Sequence, residues 1–319
     1  MMDDRMKSML GLRPDYIPVG VSILPSAWML HREKLDAIVR KHPNIFGNQD
    51  GERNYDQVWS ETYAAGAHTD AWGCVWENVH HGQEAIVTRH PVPAREDVWK
   101  LKTPEKDTGF PHGFMYLRLA DLRGFEEVMI DFAEEPPELQ RLIDIVLDYN
   151  LRQRDLWLKN QKESGAVFYV GDDLGMQHSL AMGPEKWRKY LKPCYMQLYQ
   201  PVRQAGHYVY MHTDGMIYEI IPDLIECGVN IVNPQFRANG LDNLVRVCKG
   251  KVCVDLDLDR QLFPFCKPAD IDAHVKESVQ ALGSPEGGLW LKGSIDDGVP
   301  LENVEALFNA MEKYRGYYR

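Results

Sequence analysis

From residue 166 onward the chain alternates between strand-like and helix-like segments. Apolar, strand-like runs lie at Ala166–Val170, Tyr208–His212, Val229–Asn233, Lys251–Asp257 and Gly288–Lys292. Between them the apolar residues fall at helical spacing. Trp187, Tyr190, Leu191, Cys194 and Leu198 follow Pro184, and Ile221, Leu224 and Ile225 end at Gly228. Val304, Leu307, Phe308 and Met311 stand at i, i+3, i+4 and i+7. Strands separated by helices must pair in parallel, because a parallel neighbour is reached only through a long crossover. The loops leaving the strand C-terminal ends are then available for chemistry.

A (β/α)8 TIM-type barrel takes about 250 residues, so the 319 residues read as one barrel domain over 1–319, with residues 1–80 an elaborated N-terminal extension covering the barrel mouth. In the first half, Ile17–Ile23 and Ala85–Thr88 read as strands and Leu30–Arg40 and Pro137–Gln161 as helices. Asn44–Gly82, rich in Gly, Asn, Asp and aromatics without a period, reads as long loops and short helices. A net charge of −11 argues against nucleic acid or a membrane surface as partner, both of which select basic patches. No apolar run approaches the roughly 20 residues of a membrane span, and no signal-peptide pattern opens the chain. Six cysteines without a CxxC pair read as reduced thiols of a cytoplasmic protein.

The strand ends carry polar residues that packing alone does not call for. Asp172 and Asp173 exit one strand side by side, where like charges repel unless a proton, a cation or backbone N–H groups intervene. Each is either a turn cap or a catalytic or orienting carboxylate. In Val209-Tyr-Met-His-Thr-Asp-Gly215 the strand stops at His212 and Asp214, two apart and therefore on one face. His212 reads as acid/base or metal ligand rather than a satisfied core histidine, and Asp214 doubles as a helix cap. Asn233 and Gln235 offer amides to a polar ligand. Asp255, Asp257 and Asp259 share a face by period two, with Arg260 as partner for one of them. Lys292 and Arg260 suit a substrate carboxylate, although a solvated lysine is the commoner case. Trp72 suits either an apolar pocket wall or the core. His212 and Asp214 are chemically acceptable zinc ligands.

Taken in order, Asp70-Ala-Trp72-Gly73, Gly171-Asp-Asp-Leu-Gly175, His212-Thr-Asp-Gly215, Asn233-Pro234, Asp259-Arg-Gln261 with Phe263-Pro-Phe265, and Val299-Pro-Leu-Glu-Asn303 resemble the uroporphyrinogen decarboxylase superfamily. The branch resembled contains cobamide-dependent methyltransferases. The resemblance spans roughly residues 60 to 319 and implies a (β/α)8 barrel with its site at the strand C-terminal ends. It also implies transfer of a methyl group between a small methylated substrate (an aryl methyl ether, an amine or a thiol) and methylcobamide on a corrinoid partner protein, with a homodimer as an option. Methyltransferases of this branch bind zinc through a His-x-Cys pair and a further Cys. Here Asp214 replaces the first Cys, and the last falls near Gly293 or Ser294. Catalysis would rest on His212, Asp214, Asp172 and Asp173, and substrate binding on Asn233, Gln235, Asp259, Arg260, Trp72 and Lys292. The alternatives are a decarboxylase-like lyase, which should present several arginines to an acidic tetrapyrrole, and a ligand-binding barrel without chemistry.

Overall fold

The computed structural model describes residues 2–319, which fall into two units. The first comprises the chain up to Gly66, Asn78–Ala85 and Pro234–Arg319; the second comprises Ala67–Glu77 and Ile86–Asn233. The strands are β1 (Val19–Ile23), β2 (Gly66–Thr69), β3 (Val75–Asn78), β4 (Ile86–Arg89), β5 (Val167–Gly171), β6 (Tyr208–Thr213), β7 (Ile231–Pro234), β8 (Cys253–Asp257) and β9 (Leu289–Ile295). In the first unit β1, β9 and β8 lie in that order, with Val19 opposite Leu291 and Val254 opposite Leu289 in parallel register. In the second unit the order is β7, β6, β5, and Val167 to Gly171 pair in parallel with Tyr208 to His212.

The α/β class and the five strands of the second half stand as read. Parallel pairs join β1 with β9 and β9 with β8 in the first unit, and β5 with β6 in the second. One expectation for the first half does not hold. Part of Asn44–Gly82, expected as loops and short helices, is strand instead: β2 and β3 build a small sheet with β4, in the order β2-β3-β4, and β3 pairs antiparallel with β4. The reason is local. Asp70 takes hydrogen bonds from the backbone N–H groups of Trp72 and Cys74 and from the Trp76 indole, closing a turn whose chemistry outweighs the weak alternation of its flanks. No helix is long and apolar enough to cross a membrane among the described residues, and all six cysteines are free thiols, five of them buried.

The helices follow the apolar stripes. Pro137–Asn160 buries Leu139, Leu142, Ile143, Val146, Tyr149, Asn150 and Gln153 at spacings of three and four. Its proline sits in the first turn, where the missing N–H is no loss. Against this layer β5 turns Phe168, whose ring meets Phe110, Trp157 and Tyr199.

Asp172 continues the same pleat and points the same way. Its side chain is fully buried. It accepts from the backbone N–H of Tyr116 (2.5 Å) and Leu117 (2.9 Å) and from the Tyr195 hydroxyl (2.7 Å). Tyr116 opens the helix Tyr116–Arg123, so the carboxylate satisfies amides of a first turn that no carbonyl reaches. Burial pushes this carboxyl above its ordinary pKa, while the N–H and O–H donors and His112 pull it back. Asp172→Ala strands three buried donors at once and is expected to lower stability by about 2–4 kcal/mol. Denaturant unfolding of the variant measures this; a loss within about 0.5 kcal/mol, the usual range for surface changes, would contradict the capping role.

Candidate active site

Because side chains alternate along a strand, the residue after Asp172 is presented to the other face. Asp173 accepts a hydrogen bond from His112 Nε2 at 2.9 Å through Oδ2, and one from the backbone N–H of Asp214 at 2.9 Å through Oδ1. That same Oδ1 lies 3.6 Å from His212 Nε2. The adjacent acids therefore never confront each other: one faces the helical layer and the other a histidine pair.

His212 stands near the end of β6, directly opposite Gly171 in the register. Its Nδ1 lies 2.6 Å from the Asn233 side-chain oxygen on β7. An amide oxygen only accepts, so Nδ1 carries the proton in this arrangement and Nε2 is left for the site. Nε2 lies 3.3 Å from Asp214 Oδ1 as well as near Asp173. A bare lone pair there would face two carboxylates, an arrangement relieved only by a positive charge between them. Burial lowers the imidazole pKa, but the hydrogen bond and charge of Asp214 and the charge of Asp173 outweigh it, and the net shift is upward. The rings of His112 and His212 stand 5.4 Å apart. His112, Asp173 and His212 each offer one ligand atom, all within 4.8 Å of one another. Two imidazoles and a carboxylate are a donor set suited to zinc, and the residues present fit that ion.

Two close approaches fix these groups. Gly113 N–H bonds to Gly171 O at 2.8 Å, which lays the His112 loop against the end of β5. A Cβ on Gly171 would lie 2.7 Å from His112 Nδ1, so only glycine lets the imidazole reach Asp173. Further out, Gly215 (φ +81°) and Gly175 bring the loops after β6 and β5 into backbone contact. A Cβ on Gly215 would sit 2.2 Å from the Gly175 carbonyl, and Gly175 N–H bonds to Asp214 O at 3.1 Å.

The sequence-derived residues divide accordingly. His212, Asp214, Asp173 and Asn233 come together. Asp172 neighbours them in sequence but faces the helical layer. Trp72 is buried, edge-on to Tyr149 at 5.0 Å, and packs rather than lining the cluster. Gln235, Asp259, Arg260 and Lys292 belong to the first unit. There Arg237 grips Asp259 with two contacts of 2.8 and 2.7 Å, and Arg260 Nε lies 3.7 Å from Asp257. Arg237, Arg260, Gln261, Pro264, Phe265 and Asp296 line an open cleft of about 700 Å³. Lys292 is half-buried opposite Asp257. His112 was invisible to pattern reading. Its one signal is Pro111-His112-Gly113, a polar ring between two turn-formers in a stretch with no period.

The matching family model is that of uroporphyrinogen decarboxylase, over residues 114–314 and thus well over half the chain. The chain belongs to the uroporphyrinogen decarboxylase family. The family match takes in Asp172, Asp173, His212, Asp214 and Asn233, while His112 lies just ahead of it. Among solved structures, a methyltransferase from Methanosarcina mazei superposes with a TM-score of 0.64 at 16% identity, covering 97% of this chain and 98% of that one. At this identity the likeness establishes a shared fold. No curated protein matches the chain.

Within this family member, Gly171→Ala is expected to expel the His112 ring and break its bond to Asp173. A crystal structure of the variant checks this, and an unchanged 2.9 Å contact would overturn the close-approach argument.

Proposed function

We propose that the protein is a methyltransferase moving a methyl group between a small methylated substrate and a corrinoid held on a partner protein, with the reaction centred on His112, Asp173, His212 and Asp214. The observation that carries the reading is the posture of His212, pinned by Asn233 on one nitrogen and turned by the other onto two carboxylates. A methyl group leaves oxygen, nitrogen or sulfur readily only when the heteroatom's developing negative charge is met by a positive one. A zinc ion held by His112, Asp173 and His212, with Asp214 beside them, would supply that charge as a Lewis acid.

The chain's own residues then have separate tasks. Asn233 fixes the His212 tautomer and ring orientation, as an outer partner of a ligating histidine does. Asp173 orients both imidazoles and, with Asp214, balances the charge of the centre. Asp214 stands where the resembled methyltransferases carry a thiolate, so this centre is richer in oxygen than theirs. An aryl methyl ether, a methylated amine or a methylated thiol meets its requirements, and the family's fold relative is itself a methyltransferase. The lyase alternative draws less support, since the carboxylates of an acidic tetrapyrrole would meet Asp173 and Asp214. The free thiols suit the reducing cytoplasm, where we place the reaction.

Elemental analysis of protein grown with added zinc is expected to give about one zinc per wild-type chain, as for a three-ligand catalytic site, and to show its loss in His112→Ala and His212→Ala variants that retain their thermal unfolding profile. A zinc-free wild type would overturn the metal assignment. Methyl transfer is tested separately, by supplying cob(I)alamin with methylated phenols, amines and thiols and following methylcob(III)alamin by its absorbance. No methylation with any of the three classes would overturn the methyltransferase reading.

A further inference from the structure

The cleft of the first unit takes no part in the chemistry proposed above. Its walls come from turns that follow three strands: Arg237 comes after β7, Arg260 after β8 and Asp296 directly after β9. Each arginine is backed by an acid lying deeper in the protein. Asp259, 8% exposed, takes Arg237 Nε at 2.8 Å and Nη2 at 2.7 Å, while Arg237 stays 45% exposed. Asp257, 3% exposed, lies 3.7 Å from Arg260 Nε, and Arg260 is 34% exposed. The carboxylates thus stand behind and the guanidinium groups in front. A side-on pair engages the Nε edge, so the Nη1 edge of Arg237 is turned away from its acid.

The surroundings hold these groups still. The backbone N–H of Asp259 donates to His274 Nε2 at 3.0 Å. Burial keeps that imidazole down at about 4, so it is an uncharged acceptor at neutral pH. The turn after Arg260 is clamped by buried Asn303, whose amide donates to Phe263 O (2.7 Å) and Cys266 O (2.9 Å). Within that clamp Phe265 is 90% exposed. Single exposed apolar residues are common, but this ring stands on a fixed backbone, at a cleft that also presents two guanidinium groups. At about 700 Å³ the cleft is within the size range of small-molecule sites.

We propose that this cleft binds a small monocarboxylate carried on an aromatic ring, the carboxylate held by Arg237 and Arg260 and the ring laid against Phe265 and Pro264. The fork of a guanidinium matches a carboxylate, and an exposed phenyl ring takes a second ring in offset or edge contact. The lining also limits the charge it accepts. Asp296, with one oxygen on the Gly298 N–H at 2.9 Å, joins Asp257 and Asp259 in opposing the two arginines, so a dianion or polycarboxylate meets added repulsion. The site belongs to the protein whether or not it transfers methyl groups.

Isothermal titration or ligand-observed NMR of the full-length protein with benzoate tests the site. Benzoate is expected to bind at least about tenfold more tightly than benzamide, its uncharged isostere, the scale of a charge-assisted hydrogen bond. It is also expected to bind more tightly than acetate, which lacks the ring, and than phenyl phosphate, a dianion in mildly alkaline buffer. Phe265→Ala removes a ring that lies in solvent and is expected to fold normally. It should weaken benzoate about three- to tenfold, the scale of one aromatic contact, and leave acetate unchanged. Arg260→Gln is expected to abolish the preference for benzoate over benzamide. Absence of benzoate binding by the wild type overturns the site, as does equal binding of benzamide or tighter binding of phenyl phosphate. So does a Phe265→Ala variant that binds benzoate as the wild type does, or an Arg260→Gln variant that keeps the preference.

Discussion

A pleat places successive side chains on opposite faces, and at the end of β5 it acts on two acids in a row. One carboxylate is drawn into the helical layer, where two backbone N–H groups and a tyrosine hydroxyl compensate its burial. The next is thereby committed to the opposite face, where it meets two imidazoles. The active-site geometry depends on this division. Were the register to slip by one residue, every side chain would change faces, leaving the helix start uncapped and the histidines without their shared anion. Asp172 is thus a positioning group for Asp173, its effect transmitted through backbone that the buried hydrogen bonds hold still.

Charge around the centre follows from the same arrangement. Two carboxylates converge on one nitrogen of an imidazole whose other nitrogen is fixed by an amide. Such an arrangement favours a positive charge at that nitrogen, in keeping with the upward shift of the imidazole. The overall charge of −11 gives little indication of this, because the effective charges are few and close together.

Much of the second half was legible because its signals are periodic. The runs around Tyr208–His212 and Gly288–Lys292 are apolar enough to be strands, and the spacing of His212 and Asp214 places both on one face without any knowledge of the fold. The first half resisted for two physical reasons. The turn at Asp70 is made by hydrogen bonds from a side chain to backbone and indole, which leave no periodicity. His112 joins the site through a single backbone bond and a missing Cβ on a residue 59 positions away, a relation between distant segments that no local window contains. The roles of Asp172 and Asp173 were likewise undecided in sequence, where both fit a cap and both fit chemistry. Which residue faced the helix depended on where the strand pleat began.

The contact between Gly175 and Gly215 has a bearing on how such proteins diversify. With the backbones of the two loops closer than a methyl group would permit, neither loop has an independent shape. A segment transplanted after β6 from a relative with a bulkier residue would collide with the loop after β5 unless that loop came with it. Changes of substrate in this lineage should therefore move both loops as one inherited block, while lone insertions accumulate in segments that carry no such embrace.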